Sequence, residues 1–168
     1  MRETSSIFTD ERSGRLVYKI ILITVFVLYI AFLFYQTFIS PIYGRAYSHR
    51  CINIIPFRTI SQFMSARYNR SIKIINVLGN IVVFMPLGIM LPLLSKRLAG
   101  VAKGVLFSAG LSAVIEIMQF IFAVGVTDID DLILNILGGF LGSVLCTYIY
   151  NAIKRNHRLN SKSSQTPL

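Results

Sequence analysis

The sequence predicts an all-α, polytopic membrane protein with four transmembrane helices. Its 168 residues are 54% hydrophobic and only 14% charged, which is too apolar for an ordinary soluble domain. The apolar residues are gathered into four blocks, each near the roughly 20 residues that cross the hydrocarbon core as a helix. The four predicted spans are Val17–Ile39, Ile74–Leu94, Gly104–Val124 and Leu132–Ile153.

The distribution of charge predicts the orientation of these spans. Eleven of the seventeen Lys and Arg residues lie in or beside the two tails or in the loop at 96–103, all on one side of a four-span topology. The other six are spread over the long first loop. The positive-inside rule therefore places both termini of a multi-pass cell-membrane protein in the cytoplasm. The predicted organisation is a polar cytoplasmic tail at 1–16, a transmembrane domain at 17–153 and a basic cytoplasmic tail at 154–168.

The same topology explains the net charge of +10 without a nucleic acid. We therefore expect the lipid bilayer to be the main partner and expect no nucleic-acid partner. In the first loop, apolar residues at helical spacing predict an amphipathic helix on the membrane surface. A segment packed over the transmembrane helices is an equally good interpretation. The residues in this pattern are Ile60, Phe63, Met64, Tyr68 and Ile72.

A stripe of polar residues marks the start of the fourth span. Asp128, Asp131 and Asn135 follow each other in steps of three and four, which places them on one helical face. In the third span, Glu116 and Gln119 share a face in the same way. In the predicted topology, Glu116 lies about 12 Å below the outer end of its helix, at ~1.5 Å per residue.

Two asparagines extend this set to other parts of the chain. Asn80 falls in the outer half of the second span, and Asn53 falls in the first loop. Acids and amides are costly in hydrocarbon, so they are expected to face protein or water. We therefore predict one polar pocket that opens away from the cytoplasm.

Several of these residues also have purely structural interpretations. Asp128 and Asp131 could cap the fourth helix and interact with its dipole. The asparagines could hydrogen-bond between helices, which stabilises membrane bundles modestly. Small residues one turn apart allow close helix packing, and this is the role expected for Gly138, Gly139 and Gly142.

Three motifs resemble those of the VanZ-like family and follow the family's order. They are Ile115–Asp131 with Asn135 and Gly138-Gly139 behind it, Asn-x-x-Pro-Phe at Asn53–Phe57, and Asn-x-x-x-Phe-x-Pro-x-Gly at Asn80–Gly88. Many members carry an arginine just before the acidic pair, where this chain has Gly125-Val126-Thr127. The resemblance implies a small helical membrane protein of the bacterial cell envelope, linked to glycopeptide resistance and notably to teicoplanin. It implies no mechanism.

Two functional classes follow from these observations. In the first, the protein is not an enzyme, has no cofactor, and uses its pocket to bind a lipid-linked cell-wall precursor or a glycopeptide. The alternative is an intramembrane enzyme acting on a lipid-linked envelope substrate, with Asp128 and Asp131 holding Mg²⁺ or Mn²⁺. No Ser-His or Cys-His pattern accompanies these acids, so we favour the first class. A proton-coupled transporter built on Glu116 and a homo-oligomer packed through Gly138 and Gly142 remain open.

Overall fold

The structure is a computed structural model that describes residues 2–39, 51–64 and 70–163. By its internal contacts the chain divides into two compact units, residues 1–44 and residues 45–168. The first unit contains helix α1 (Arg2–Phe38). The second unit holds every other element and all of the candidate site residues. Its elements are β1 (Cys51–Asn53), α2 (Arg58–Met64), α3 (Arg70–Leu94), a short 3-10 turn (Lys96–Leu98), α4 (Val101–Phe122), β2 (Val126–Asp128) and α5 (Ile129–Ser163).

The prediction of an all-α protein with four membrane spans is confirmed. Four helical segments are long and apolar enough to cross a membrane: Ser13–Phe38, Asn76–Leu94, Val101–Phe122 and Ile129–Asn156. Helix α5 continues to Ser163, ten residues past the predicted end of the fourth span at Ile153. Hydropathy detects the apolar part of a helix and not its end, because Lys, Arg and Asn can extend a helix into water. The assignment of 1–16 and 154–168 as cytoplasmic tails stays a prediction.

The first loop contains two elements before α3. Strand β1 pairs in parallel with β2, and residues of the predicted amphipathic pattern follow in α2. Ile60 belongs to α2, Ile72 already belongs to α3, and Tyr68 lies outside the described residues. The surface location predicted for this helix stays a prediction. The parallel strand pair was not predicted, because three residues are too few for an alternating pattern to be visible.

Helix α5 packs against both α3 and α4, and its glycines lie where the helices approach most closely. A Cβ atom built on Gly138 would overlap the carbonyl oxygen of Ile81, and one on Gly142 would overlap that of Met85. Gly139 instead faces α4, where an added Cβ would overlap the Ser108 side chain. The three glycines therefore serve contacts within the chain, two toward α3 and one toward α4.

A left-handed turn after α4 positions the acidic residues at the start of α5. Ala123 adopts φ 52°, and its N–H bonds back to the carbonyl oxygens of Gln119 and Phe120. Gly125 follows with φ 81°, a conformation that glycine adopts without steric cost. The chain can then reverse within three residues into β2, so the start of α5 lies beside the end of α4.

Candidate functional site

The two short strands bring the first loop to the start of α5. In the parallel register Asn53 lies opposite Asp128, although the two residues are 75 positions apart. The Asn53 side-chain amide donates a 2.9 Å hydrogen bond to Asp128 Oδ1. Both side chains are buried. The candidate site is therefore assembled by tertiary pairing.

Asp128 accepts three hydrogen bonds and ties three segments together. Besides the Asn53 amide, the N–H of Asp130 donates to Oδ1 at 2.9 Å, which is the geometry of an N-cap for α5. The hydroxyl of Thr59, in α2, donates to Oδ2. The capping role considered for Asp128 is therefore present. The same carboxylate also holds β1 and α2.

Asp130 is completely buried and caps a different helix. Its two carboxylate oxygens accept the backbone N–H groups of Phe57 at 2.5 Å, Thr59 at 2.8 Å and Ile60 at 3.1 Å. Phe57 adopts φ 63°, a left-handed conformation that is uncommon for a bulky residue. Helix α2 has no acid in its own first turn, so its N-terminal donors are satisfied by a carboxylate from α5.

The spacing argument missed Asp130 and Thr59. Asp130 does not belong to the helical stripe of Asp128, Asp131 and Asn135, and Thr59 carries no charge that would single it out. One signal was available, because a short helix that follows Pro56 without an acid of its own needs acceptors from elsewhere.

Glu116 lies almost two turns inside α4 and is 8% exposed. Its Oε2 accepts the backbone N–H of Asp128 at 2.9 Å. The Thr127 hydroxyl donates to the backbone carbonyl of Glu116 at 3.3 Å. Asp131 lies about one helical turn beyond Asp128, whose N–H Glu116 accepts. The glutamate therefore joins α4 to β2 and lies near both acids of the polar stripe.

Of the remaining predicted residues, Asn80 and Asn135 make hydrogen bonds between helices, and Gln119 does not. The Asn80 amide donates to Asp131 Oδ1 at 2.6 Å, which joins α3 to α5. The Asn135 amide donates to Ser112 Oγ at 2.9 Å, which joins α5 to α4. Gln119 is not brought into these contacts, and its Oε1 is buried without a hydrogen-bond partner among the described residues.

We use the term polar cluster for the residues that make these side-chain hydrogen bonds at this end of α3, α4 and α5. Its members come from four elements and from the strand pair. They are Asn53, Thr59, Asn80, Ser112, Glu116, Asp128, Asp130, Asp131 and Asn135.

The alternative of a metal held by Asp128 and Asp131 stays a prediction. The groups that face Asp128 are N–H and O–H donors, whereas a cation needs further oxygen acceptors. Within the described ranges, no group of three or more His, Cys, Asp or Glu side chains is arranged to hold a metal.

Fold and site together define a multi-pass α-helical membrane protein with a buried polar cluster at one end of three of its helices. The VanZ/LLP1 family model matches residues 26–151, and the chain belongs to this family. The predicted family is thereby confirmed.

A curated relative supports the same assignment. The chain is 36% identical over 96 residues to a protein of Enterococcus faecium named Protein VanZ, and the match covers 57% of this chain. It covers 52% of that relative, so the chain matches about half of the relative's length. No solved structure matches the chain.

Proposed function

We propose that this protein acts in the bacterial cell envelope and contributes to resistance against glycopeptide antibiotics of the teicoplanin type. Its polar cluster would form a binding pocket on the outer side of the membrane, without enzymatic chemistry. The observation that carries the proposal is that acids from two helices are held at the same end of the bundle. Glu116 of α4 accepts the N–H of Asp128, and Asp131, three positions further on, accepts the Asn80 amide. The match to Protein VanZ supports the proposed link to glycopeptide resistance.

The acids of the polar cluster differ in how many of their carboxylate oxygens are engaged by the fold. This difference supports a binding role in addition to a structural one. Asp128 and Asp130 have both carboxylate oxygens engaged by donors of the fold. Glu116 and Asp131 each use one oxygen in this way, through Oε2 and Oδ1. The first pair is therefore committed to holding β1 and α2, while the second pair keeps acceptor capacity for a ligand.

Alanine substitutions in the second pair test the proposed function. Cells that express Glu116→Ala or Asp131→Ala should lose teicoplanin resistance to the level of cells without the protein. Glu116→Gln, which keeps an acceptor for the Asp128 N–H, should lose only part of it. The measurement is the minimal inhibitory concentration at matched amounts of membrane-inserted protein.

Gly110→Ala provides the matched control for these variants. Gly110 is exposed on α4, and an added Cβ meets no atom within 4 Å, so resistance should stay at the wild-type level. Wild-type resistance in both alanine variants of the acids would contradict the proposed role of the polar cluster.

The proposed outward orientation can be tested with the two cysteines of the chain. Cys51 lies in β1 beside the polar cluster, and Cys146 lies within α5. An impermeant maleimide applied to intact cells that carry Cys146→Ser should label Cys51 without permeabilisation. Labelling that requires permeabilised cells would place the polar cluster on the cytoplasmic side. Cys51→Ser with Cys146 retained reports the background.

A further inference from the structure

We propose that the polar cluster binds a primary ammonium group between Glu116 and Asp131. This inference rests on the proposed binding function and specifies the chemistry of its ligand. Three observations carry it: the unused acceptor capacity of the two carboxylates, the charges around them, and a buried acceptor below them.

The unused capacity follows from the hydrogen bonds of each acid. Glu116 Oε2 accepts the Asp128 N–H, and Asp131 Oδ1 accepts the Asn80 amide. Within the described part of the chain, the structure records no donor for the second oxygen of either carboxylate. A carboxylate oxygen can accept more than one hydrogen bond, so both groups can still bind a donor.

The surrounding charges are all of one sign. Glu116 accepts the N–H of Asp128, and Asp130 and Asp131 follow in the first turn of α5. Among the residues whose side chains the structure describes, no recorded hydrogen bond joins either carboxyl to a Lys or Arg. Partly buried like charges are costly unless protonation or a cation neutralises them, and a bound ammonium group would supply such a cation.

The third observation is an acceptor without a donor. Asn135 Oδ1 is buried with no hydrogen-bond partner among the described residues, and Asn135 is 5% exposed. Asn135 lies one turn below Asp131 on α5, and its amide reaches Ser112, one turn below Glu116 on α4. Asn135 therefore lies between α4 and α5, one turn further into the bundle than Glu116 and Asp131, and carries the orphan oxygen.

The chemistry of these acceptors favours an ammonium group. A primary ammonium carries three N–H donors and the compensating charge, so it can pair with acceptors from both helices. A quaternary ammonium has the charge but no N–H donor, so it would leave Asn135 Oδ1 unpaired. Asp131 is partly exposed, so an amine can enter from the end of the bundle. The amine could belong to a lipid head group or to a ligand that is not a lipid.

The test measures thermal unfolding of the full chain, purified in a non-ionic detergent, by circular dichroism. Two pairs of probes separate the donor from the charge: dodecylammonium against dodecyltrimethylammonium, and phosphatidylethanolamine against phosphatidylcholine. A ligand that binds the folded state raises the unfolding midpoint in a concentration-dependent way. Dodecylammonium should do so, and its trimethylated analogue should not.

Variants locate the binding site. Glu116→Gln and Asp131→Asn keep the hydrogen bonds of the fold but lose a charge, so each should weaken dodecylammonium binding by about tenfold or more. Asn135→Asp should bind at least as tightly as the wild type, because it retains the acceptor and adds charge. Gly110→Ala, whose added Cβ meets no atom within 4 Å, is the control and should bind like the wild type.

Each outcome decides the proposal. A shift with dodecylammonium and phosphatidylethanolamine supports a lipid head group as the source, and a shift with dodecylammonium alone supports an amine that is not a lipid. Equal shifts with both members of each pair, or shifts unchanged in Glu116→Gln and Asp131→Asn, would overturn it. Resistance is measured separately from binding. Variants that lose ammonium binding but keep resistance would refute the proposed function and would still support the ammonium site.

Discussion

Replacing Asp130 with alanine is expected to release α2 from the start of α5 and to lower the free energy of unfolding by about 3–5 kcal/mol. The carboxylate is completely buried and accepts the N–H groups of Phe57, Thr59 and Ile60. Its removal leaves three backbone donors without acceptors and frees a left-handed residue at φ 63° to relax. Thermal unfolding in detergent measures the loss of stability, and hydrogen–deuterium exchange of the peptide covering 53–61 measures the release.

Asp131→Asn is the matched control, because it changes the neighbouring acid and keeps an acceptor for Asn80. Exchange at 53–61 should rise strongly in Asp130→Ala and stay at the wild-type level in Asp131→Asn. Equal protection of this peptide in wild type and Asp130→Ala would mean that the carboxylate does not hold α2. Asp130→Asn should fall between the two, since one amide oxygen cannot replace two charged acceptors.

The positions of the membrane spans could be predicted from the sequence because hydropathy and span length are properties of contiguous residues. The second span was predicted to end at Leu94, for example, and α3 (Arg70–Leu94) ends there. The extension of α5 to Ser163 could not be predicted in this way, since hydropathy is silent about a helix that has left the apolar layer. The β1–β2 pair depends on residues 75 positions apart, and local periodicity holds no information about that contact.

Only part of the candidate site could be predicted, because helical spacing describes contacts along one helix and not contacts between distant segments. Helical spacing placed Asp131 on the stripe that faces the other helices, and its contact with Asn80 lies within that frame. Spacing could not reveal that Asp130, one position off the stripe, faces the first loop instead. Nor could it show that Gln119, which shares a helical face with Glu116, stays outside the contacts of the polar cluster.

Gly142→Ala is expected to lower stability by about 1–3 kcal/mol, and Gly142→Val by more, because overpacked contacts force the backbone apart. A Cβ atom at this position would overlap the carbonyl oxygen of Met85, and a backbone atom of a packed helix cannot rotate away as a side chain could. The separation of α3 from α5 would also pull Asn80 from Asp131, so the polar cluster should be disturbed together with the packing. Thermal unfolding of the purified variants measures the loss.

Gly110→Ala tests whether the loss comes from packing or from the change of residue type. Gly110 lies inside α4 as Gly142 lies inside α5, but an added Cβ at Gly110 meets open space. Alanine is the better helix former by roughly 1 kcal/mol, so Gly110→Ala should be neutral or slightly stabilising. Opposite signs for the same substitution at two helical positions would establish that Gly142 is required by the close approach of α3. If Gly142→Ala were as stable as Gly110→Ala, α3 and α5 would be further apart than the structure shows. The close approach of these helices would then not explain the Asn80–Asp131 hydrogen bond.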